Sequence, residues 1–378
     1  MSPKAPLRYR AILLRVALGL ALLGLTGCAD NRQLNYRALV LAMGFAPAAH
    51  GKIEVLFQIP TPSGLTSLRG GGSGSSASSS LSTFTVEGVG QTVARAFAKA
   101  QADVNQDLYL GQLQAVIFST QLTSAQFTDI ASTLTRFGTL DKTAYALATQ
   151  APVTDVLQTV SKTTPLAPLY YSTEFGCAHC QTVNLKREIW SIEQQQYAPP
   201  VVNLWLPLIM PTTSGFRIDH VVFYQNNHAT TILTPPQTVM FGYALGKTSK
   251  GTIQLHWQGA PVSVRGLKAS AHVFARWQGP TLHLYQTLSL SGDVDTFPLS
   301  VPVKPRLTWV MAHVQQKVGA ESLALLQSLS RRGIDPFHVG DAYVWQHPGE
   351  LTKWQRAYPK AHWTVKVKIR IRELGDST

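Results

Sequence analysis

Cysteine is scarce in this chain: Cys28, Cys177 and Cys180 are the only three in 378 residues. That excludes a small disulfide-stapled scaffold, which needs a dense cysteine framework. Acidic side chains are also few, 20 Asp plus Glu against 33 Lys plus Arg. The formal charge of +13 therefore reflects missing acids more than surplus bases. A nucleic-acid binder would carry a recognition motif or a platform of interleaved aromatic and basic residues. Neither occurs, so nucleic acid is not an expected partner. Gly-x-Ser-x-Gly elbows, phosphate-binding Walker loops and His-Glu-x-x-His motifs are missing too. The eleven histidines are scattered. No catalytic residue, metal set or cofactor is expected, and the chain is not expected to be an enzyme. Long apolar runs are confined to one, Ala11–Leu25, which is shorter than the ~20 residues a spanning helix needs and contains Arg15.

What is present at that end is a leader. Lys4, Arg8 and Arg10 precede the apolar run, and Leu25-Thr26-Gly27-Cys28 closes it. A basic start, a short apolar core and small residues before a cleavage point form a secretory signal. Ending in cysteine, this one resembles a bacterial lipobox. The expectation is a signal peptide over 1–27 and a lipidated Cys28 as first mature residue, tied to a membrane through its acyl chains. Anchoring through acyl groups yields ~0.8 kcal/mol per buried CH₂ and generally takes more than one chain. Four of the cations, Lys4, Arg8, Arg10 and Arg15, fall in the leader, which leaves +9 on the mature part. A positive surface of that kind suits anionic lipid headgroups.

The mature chain is long enough for two or three domains, and 45% apolar residues suffice for their cores. A short tether, 28–35, precedes an N-terminal α+β region over 36–212, which has room for two subdomains. Ala38–Met43 reads as a buried strand ending at Gly44, and Ile53–Ile59 as its hairpin partner. Residues 69–82 are nearly all Gly and Ser and cannot bury enough apolar area to become ordered. Val89–Asp107 reads as a helix, Leu113–Phe118 as a strand, and Ser124–Phe137 as a helix with Thr123 or Ser124 as cap. A strand at Ala144–Ala148 and a helix at Pro152–Val160 follow, then a helix through Val183–Gln194. The proline-rich stretch ending near Pro211–Gly215 marks the junction with a C-terminal α+β domain, 213–378. There Ile253, Leu255 and Trp257 alternate with polar residues. Leu282, Leu284, Leu288 and Leu290 do the same, with Gln286 as the exception. Such alternation implies a sheet with one wet face, usually antiparallel. A long helix is expected over 305–332, with Pro305 at its start, Gly333 past its end and Gly319 a place for a bend. The terminal strand, 364–373, separates Val365, Val367, Ile369 and Ile371 from Lys366, Lys368, Arg370 and Arg372. Those cations either protect an exposed strand from aggregation or form a stripe for lipid or an acidic partner. The fold class is thus α+β, two to three mixed domains with largely antiparallel sheets flanked by helices.

Cys177-Ala178-His179-Cys180 leaves three readings open: a small disulfide, a redox motif, or half of a metal site. A zinc site needs a second ligand pair, and none stands at a suitable spacing. Glu174 just before the pair works against a thiolate.

Several segments, in order, resemble the C-subunit lipoproteins of spore germinant receptors, the Ger(x)C family. Cys28-Ala29-Asp30-Asn31-Arg32-Gln33-Leu34-Asn35 is similar to the family's opening, with Ala29 where tryptophan is usual and Asn31 for an arginine. Leu39–Gly44 and Ile53–Ile59 fall on its first two strands, ahead of a Gly/Ser-rich loop. Asp107–Leu113 is similar to a further segment, with Gln112 where histidine is common. Asp335-Pro336-Phe337-His338-Val339-Gly340 resembles its aspartate-and-glycine turn after the long helix. His347-Pro348 with Trp354, and the basic ending Val365–Arg372, complete the set. The resemblance implies about three small α+β domains on the outer face of the inner spore membrane and a complex with two integral-membrane partners, the A and B subunits. It also implies a role in germination without established enzymatic activity. Two other expectations compete: a solute-binding lipoprotein of a transporter, with two lobes of repeated βαβ units, and a thiol oxidoreductase using Cys177 and Cys180.

Overall fold

The computed structural model describes residues 36–61, 83–162, 164, 169–177, 185–197, 203–247, 251–298 and 302–374. Cys28, Cys180 and the Gly/Ser-rich stretch 69–82 lie outside the described residues, as does the leader.

The first region is built on an eight-stranded sheet. Its strands are β2 (Ala42–Pro47), β3 (Ile53–Pro60), β4 (Thr83–Gly90), β6 (Ala115–Ser119), β7 (Tyr145–Thr149), β8 (Trp205–Thr212), β9 (Gly215–Gln225) and β10 (His228–Leu233). A separate parallel pair, β1 (Arg37–Leu39) with β5 (Asp107–Tyr109), sits beside it. The order β10-β9-β8-β7-β6-β2-β3-β4 places four parallel strands, β2, β6, β7 and β8, in the middle. Antiparallel pairs flank them on both sides.

Helices cover both faces, which is why the central strands read as near-continuous apolar runs such as Ala115-Val116-Ile117-Phe118. On one face α1 (Val93–Ala102), α2 (Ser124–Arg136) and, after two helices on the opposite face, Ile189 and Ile192 of a fifth helix pack against Phe45, Phe57, Val116 and Phe118. On the other, α3 (Val153–Gln158) and α4 (Leu169–Gly176) bury Val156, Tyr171 and Phe175 against Leu56, Ile117 and Leu147. The fifth helix, α5, spans Ile189–Tyr197. Thr123 caps α2 in a reciprocal box with Gln126, whose side chain accepts from the Thr123 N–H at 2.9 Å.

The helix expected from Val89 begins only at Val93, with the Thr92 hydroxyl accepting from Arg95 N–H. Residues 83–90 form β4 instead. Gly88 and Gly90 explain this: a Cβ on Gly88 would lie 2.0 Å from the Ala96 carbonyl, and one on Gly90 2.5 Å from the Ala96 nitrogen. The glycines let α1 lie directly on β4, so they belong to a close strand–helix contact. The expected helix also ends early, at Ala102, and Asp107 opens β5. Likewise the single strand expected at Ala38–Met43 is divided between β1 and β2, with Gly44 inside β2. The helix expected at Val183–Gln194 begins at Ile189 among the described residues.

The hairpin turn between β8 and β9 falls at residues 213–214, and β9 and β10 continue the large sheet. After Leu233 comes α6 (Pro235–Ala244), capped by Thr234 and Gln237. A second sheet follows, in the order β11 (Gly251–Trp257), β12 (Ala260–Gln278), β13 (Thr281–Thr296) and β14 (His362–Leu374). The first three strands are antiparallel, and β14 runs parallel to β13 at the edge. The 29-residue α7 (Val303–Arg331) makes the crossover, with α8 (Val339–Gln346) and α9 (Leu351–Ala357). It runs through Gly319 as one helix. Val310, Val314, Val318, Leu325 and Leu329 of α7 pack on Val264, Leu288, Leu290 and Ile369 of the sheet. Trp205, Val221 and Phe223 of the large sheet join this same core. Gln286, the one polar residue in the apolar row of β13, is 1% exposed and donates to the Ala244 carbonyl at 3.2 Å. It thereby satisfies an open acceptor at the end of α6.

Candidate functional site

The aspartate-and-glycine turn after α7 is where the two sheets are tied together. Gly333, at φ 71°, ends the helix, with its N–H bonded to the Ser330 carbonyl and that of Ile334 to Leu329. The chain then reaches Asp335, whose carboxylate accepts from the N–H groups of Phe337 at 3.1 Å and Gly340 at 2.7 Å. Its backbone exchanges hydrogen bonds with Asn203, at 2.8 Å to the side-chain oxygen and 3.2 Å from the Asn203 N–H. Asn203 in turn donates to the Tyr224 carbonyl of β9. Gln225 donates to the Arg332 carbonyl and Tyr358 to that of Ile334. Gly340 permits the closure: a Cβ there would lie 2.3 Å from the Trp354 indole nitrogen. His338 holds a left-handed φ of 60° to make the bend.

The electrostatics of this junction are those of a buried site. Burial pushes the Asp335 carboxyl up to about 6 against the pull of the N–H groups it accepts. Arg187, stacked 4.2 Å over Trp205, is lowered by burial to about 10 and stays cationic at neutral pH. Burial, and then the charge of Arg187, hold His338 below its ordinary value. The hydrogen bonds of this group make it a clamp between the exit of α7 and the large sheet. Among the described residues no group of three or more His, Cys, Asp or Glu could hold a metal ion.

Two surfaces remain. The outer face of the second sheet is solvent-facing, with Lys366, Lys368, Arg370 and Arg372 exposed along β14. At its end, a groove of about 860 Å³ runs between β13 and α9, lined by Trp277, Leu282, Lys353, Arg356, Lys360 and His362. Lys353 lies 4.7 Å from the centre of the Trp277 ring and is paired with Glu350 at 3.0 Å.

Of the residues singled out from sequence, Cys28 and Cys180 lie outside the described residues. Cys177 is disulfide-bonded and follows the C-terminal end of α4, its N–H bonded to the Thr173 carbonyl. That is the negative end of a helix, where a thiolate is disfavoured. Sequence reasoning named the Asp335–Gly340 turn only by resemblance. Its partners Asn203, Arg187 and Tyr358 carry no local signal, because they meet it only through the fold.

The described residues thus form a two-sheet α+β chain with a buried hydrogen-bonded turn and an exposed basic strand. Residues 30–210 match the family model described as spore germination protein, N-terminal domain, and residues 219–375 match that described as spore germination B3/GerAC like, C-terminal. The chain belongs to this GerAC-like spore germination family, the Ger(x)C family its motifs resemble. A solved structure described as the crystal structure of the GerBC protein is similar in fold, with a TM-score of 0.55 and 14% identity, over 90% of this chain and 99% of that one. No curated protein matches the chain. No helix among the described residues is long and apolar enough to cross a membrane.

Proposed function

We propose that the chain is the lipoprotein C subunit of a nutrient germinant receptor, acting without enzymatic activity in spore germination. The observation that carries this reading is the pair of family matches, which together take in nearly all of the chain beyond residue 29. In this reading residues 1–27 are removed, acylated Cys28 anchors the protein to the outer face of the spore inner membrane, and 28–35 is the tether. The A and B membrane subunits are its partners. A chain reaches at most ~3.3–3.6 Å per residue, so the tether holds the first sheet near those partners. Cys177 and Cys180 form a structural disulfide. The dissimilarity of the two sheets speaks against a two-lobed solute-binding protein, and the placement of Cys177 against an oxidoreductase.

The test is a Cys28→Ala allele, alongside a deletion, in spores lacking redundant receptors. Loss of nutrient-triggered germination in the deletion, and loss or steep reduction with Cys28→Ala, is expected. Crosslinking from spore inner membrane should recover the two membrane subunits. Unchanged germination in the deletion strain would overturn the reading.

A further inference from the structure

The outer face of the second sheet is open, and its charge is predominantly positive, the carboxylates Asp293 and Asp295 being paired with Arg372 and Arg265. Residues at alternate positions of β12, β13 and β14 point the same way and stand in register. Lys268 is opposite Ser291, which is opposite Arg370; Ser270, Ser289 and Lys368 form the next row, and His272, Thr287 and Lys366 the next. The cations from Lys366 to Arg372 are spread over roughly 20 Å of strand. Arg372 is paired with Asp293 at 2.8 Å. Lys268, Arg276, Lys366, Lys368 and Arg370 face no carboxylate partner among the described residues. Small hydroxyl side chains separate them, so each charge is reachable from outside. Towards the other end Phe274, 43% exposed, stacks on Tyr285 at a centroid distance of 5.1 Å.

We propose that this sheet face is a docking surface for the anionic phospholipid headgroups of a membrane. Charge complementarity is the argument. Unpaired cations spaced along an open face, with hydroxyl groups between them, suit a layer of phosphates. The Phe274–Tyr285 pair offers rings of the kind that settle at headgroup depth. A protein partner would be expected to insert anchors into apolar pockets, whereas the outward rows here are mostly cations, hydroxyls and histidines. Protecting an edge strand explains cations on β14. β11 pairs with β12 only up to Leu267, so Lys268 and Arg276 lie on the opposite open edge and edge protection accounts for their position too. What it leaves over is a face whose cations come from both edges at once.

The inference rests on the lipoprotein reading for the presence of a membrane nearby, but its test does not use the anchor. The mature chain carrying Cys28→Ala is sedimented with vesicles of phosphatidylcholine alone or of an equal mixture with phosphatidylglycerol. Binding to the mixed vesicles alone, weakening as salt rises, is expected. Each cation near an anionic surface is worth about fivefold in affinity. Lys366→Glu, Lys368→Glu and Arg370→Glu combined should therefore lower binding by at least about 100-fold, with the thermal midpoint unchanged. Arg95→Glu, Lys99→Glu and Arg136→Glu combined, on exposed positions of α1 and α2, make the same change in net charge and should leave binding intact. Failure to bind the mixed vesicles would overturn the proposal, as would equal loss in both triple variants. Capture by polyglutamate without vesicle binding would overturn it in favour of an acidic protein partner. Acylation of Cys28 is read separately by palmitate labelling, so failure of the anchor and failure of the face are distinguishable.

Discussion

Asp335→Asn separates the two forces acting on the buried carboxyl of the clamp. Desolvation raises its pKa from 3.8 to about 6, while backbone N–H groups of Gly340, Phe337 and Val339 pull it down. A folded-state value above the unfolded one means that the folded protein holds the proton more tightly. The stabilisation is then fully present below about pH 3.8 and is lost as pH rises through about 6. The gap corresponds to about 3 kcal/mol. Asparagine keeps an oxygen for the Gly340 or Phe337 N–H but does not ionise. The stability difference, wild type minus variant, should therefore fall by about 3 kcal/mol between pH 3.5 and pH 7. Denaturant unfolding of the mature chain carrying Cys28→Ala measures it at half-unit steps of pH. Taking the difference cancels the other titrating groups, which both proteins share. A difference that stays level, or that grows with pH, would refute the reasoning. Growth would mean that the N–H groups stabilise the carboxylate by more than burial penalises it.

Other positions give more direct readings. Gly340→Ala forces a Cβ to within 2.3 Å of the Trp354 indole nitrogen, and a loss of about 1–3 kcal/mol is expected by denaturant unfolding. Gly88→Ala should cost a similar amount, because the clash is with the backbone of α1, and amide exchange should show that helix opening more often. Thr123→Ala removes the cap of α2 and should cost about 1 kcal/mol, whereas Thr123→Ser should be nearly neutral. Phe127→Ala, fully buried between Phe118 and Tyr224, should cost about 3–5 kcal/mol.

The elements legible in the sequence are those whose burial follows a single period. β3, β6, β7, β11, β13, β14 and the helices α2 and α7 lie within a few residues of where the alternation or the 3.6-residue repeat puts them. β4 was hidden because its Gly88 and Gly90 serve the neighbouring helix, so the strand lacks an apolar face of its own. The shared core of Trp205, Val221 and Phe223 with Phe241 is equally invisible, since each residue fits its own strand or helix whichever partner it meets. The same limit governs the clamp. Asp335 followed five residues later by Gly340 reads as a turn, and only the fold supplies Asn203 and Tyr358 to close it.

This division between local and long-range information bears on where a partner would act. The clamp joins the exit of α7 to the start of β8 and the end of β9 through the side chains of Asn203 and Gln225. α7 also packs along the inner face of β14 through Val318 and Ile369, and the cations of β14 point to the opposite face. Val318 and Ile369 thus join α7 to β14, and the Asp335 turn joins the exit of α7 to Asn203. Breaking a buried group away from its partners costs far more than losing a surface ion pair. The two sheets should therefore respond to a docked partner as one body, and Asp335→Ala, which leaves the Gly340 and Phe337 N–H groups without an acceptor, should uncouple them. Amide exchange would read this as earlier opening of α8 and β14, with β6 and β7 unchanged. Equal acceleration in all four elements would show instead that the clamp supports global stability alone.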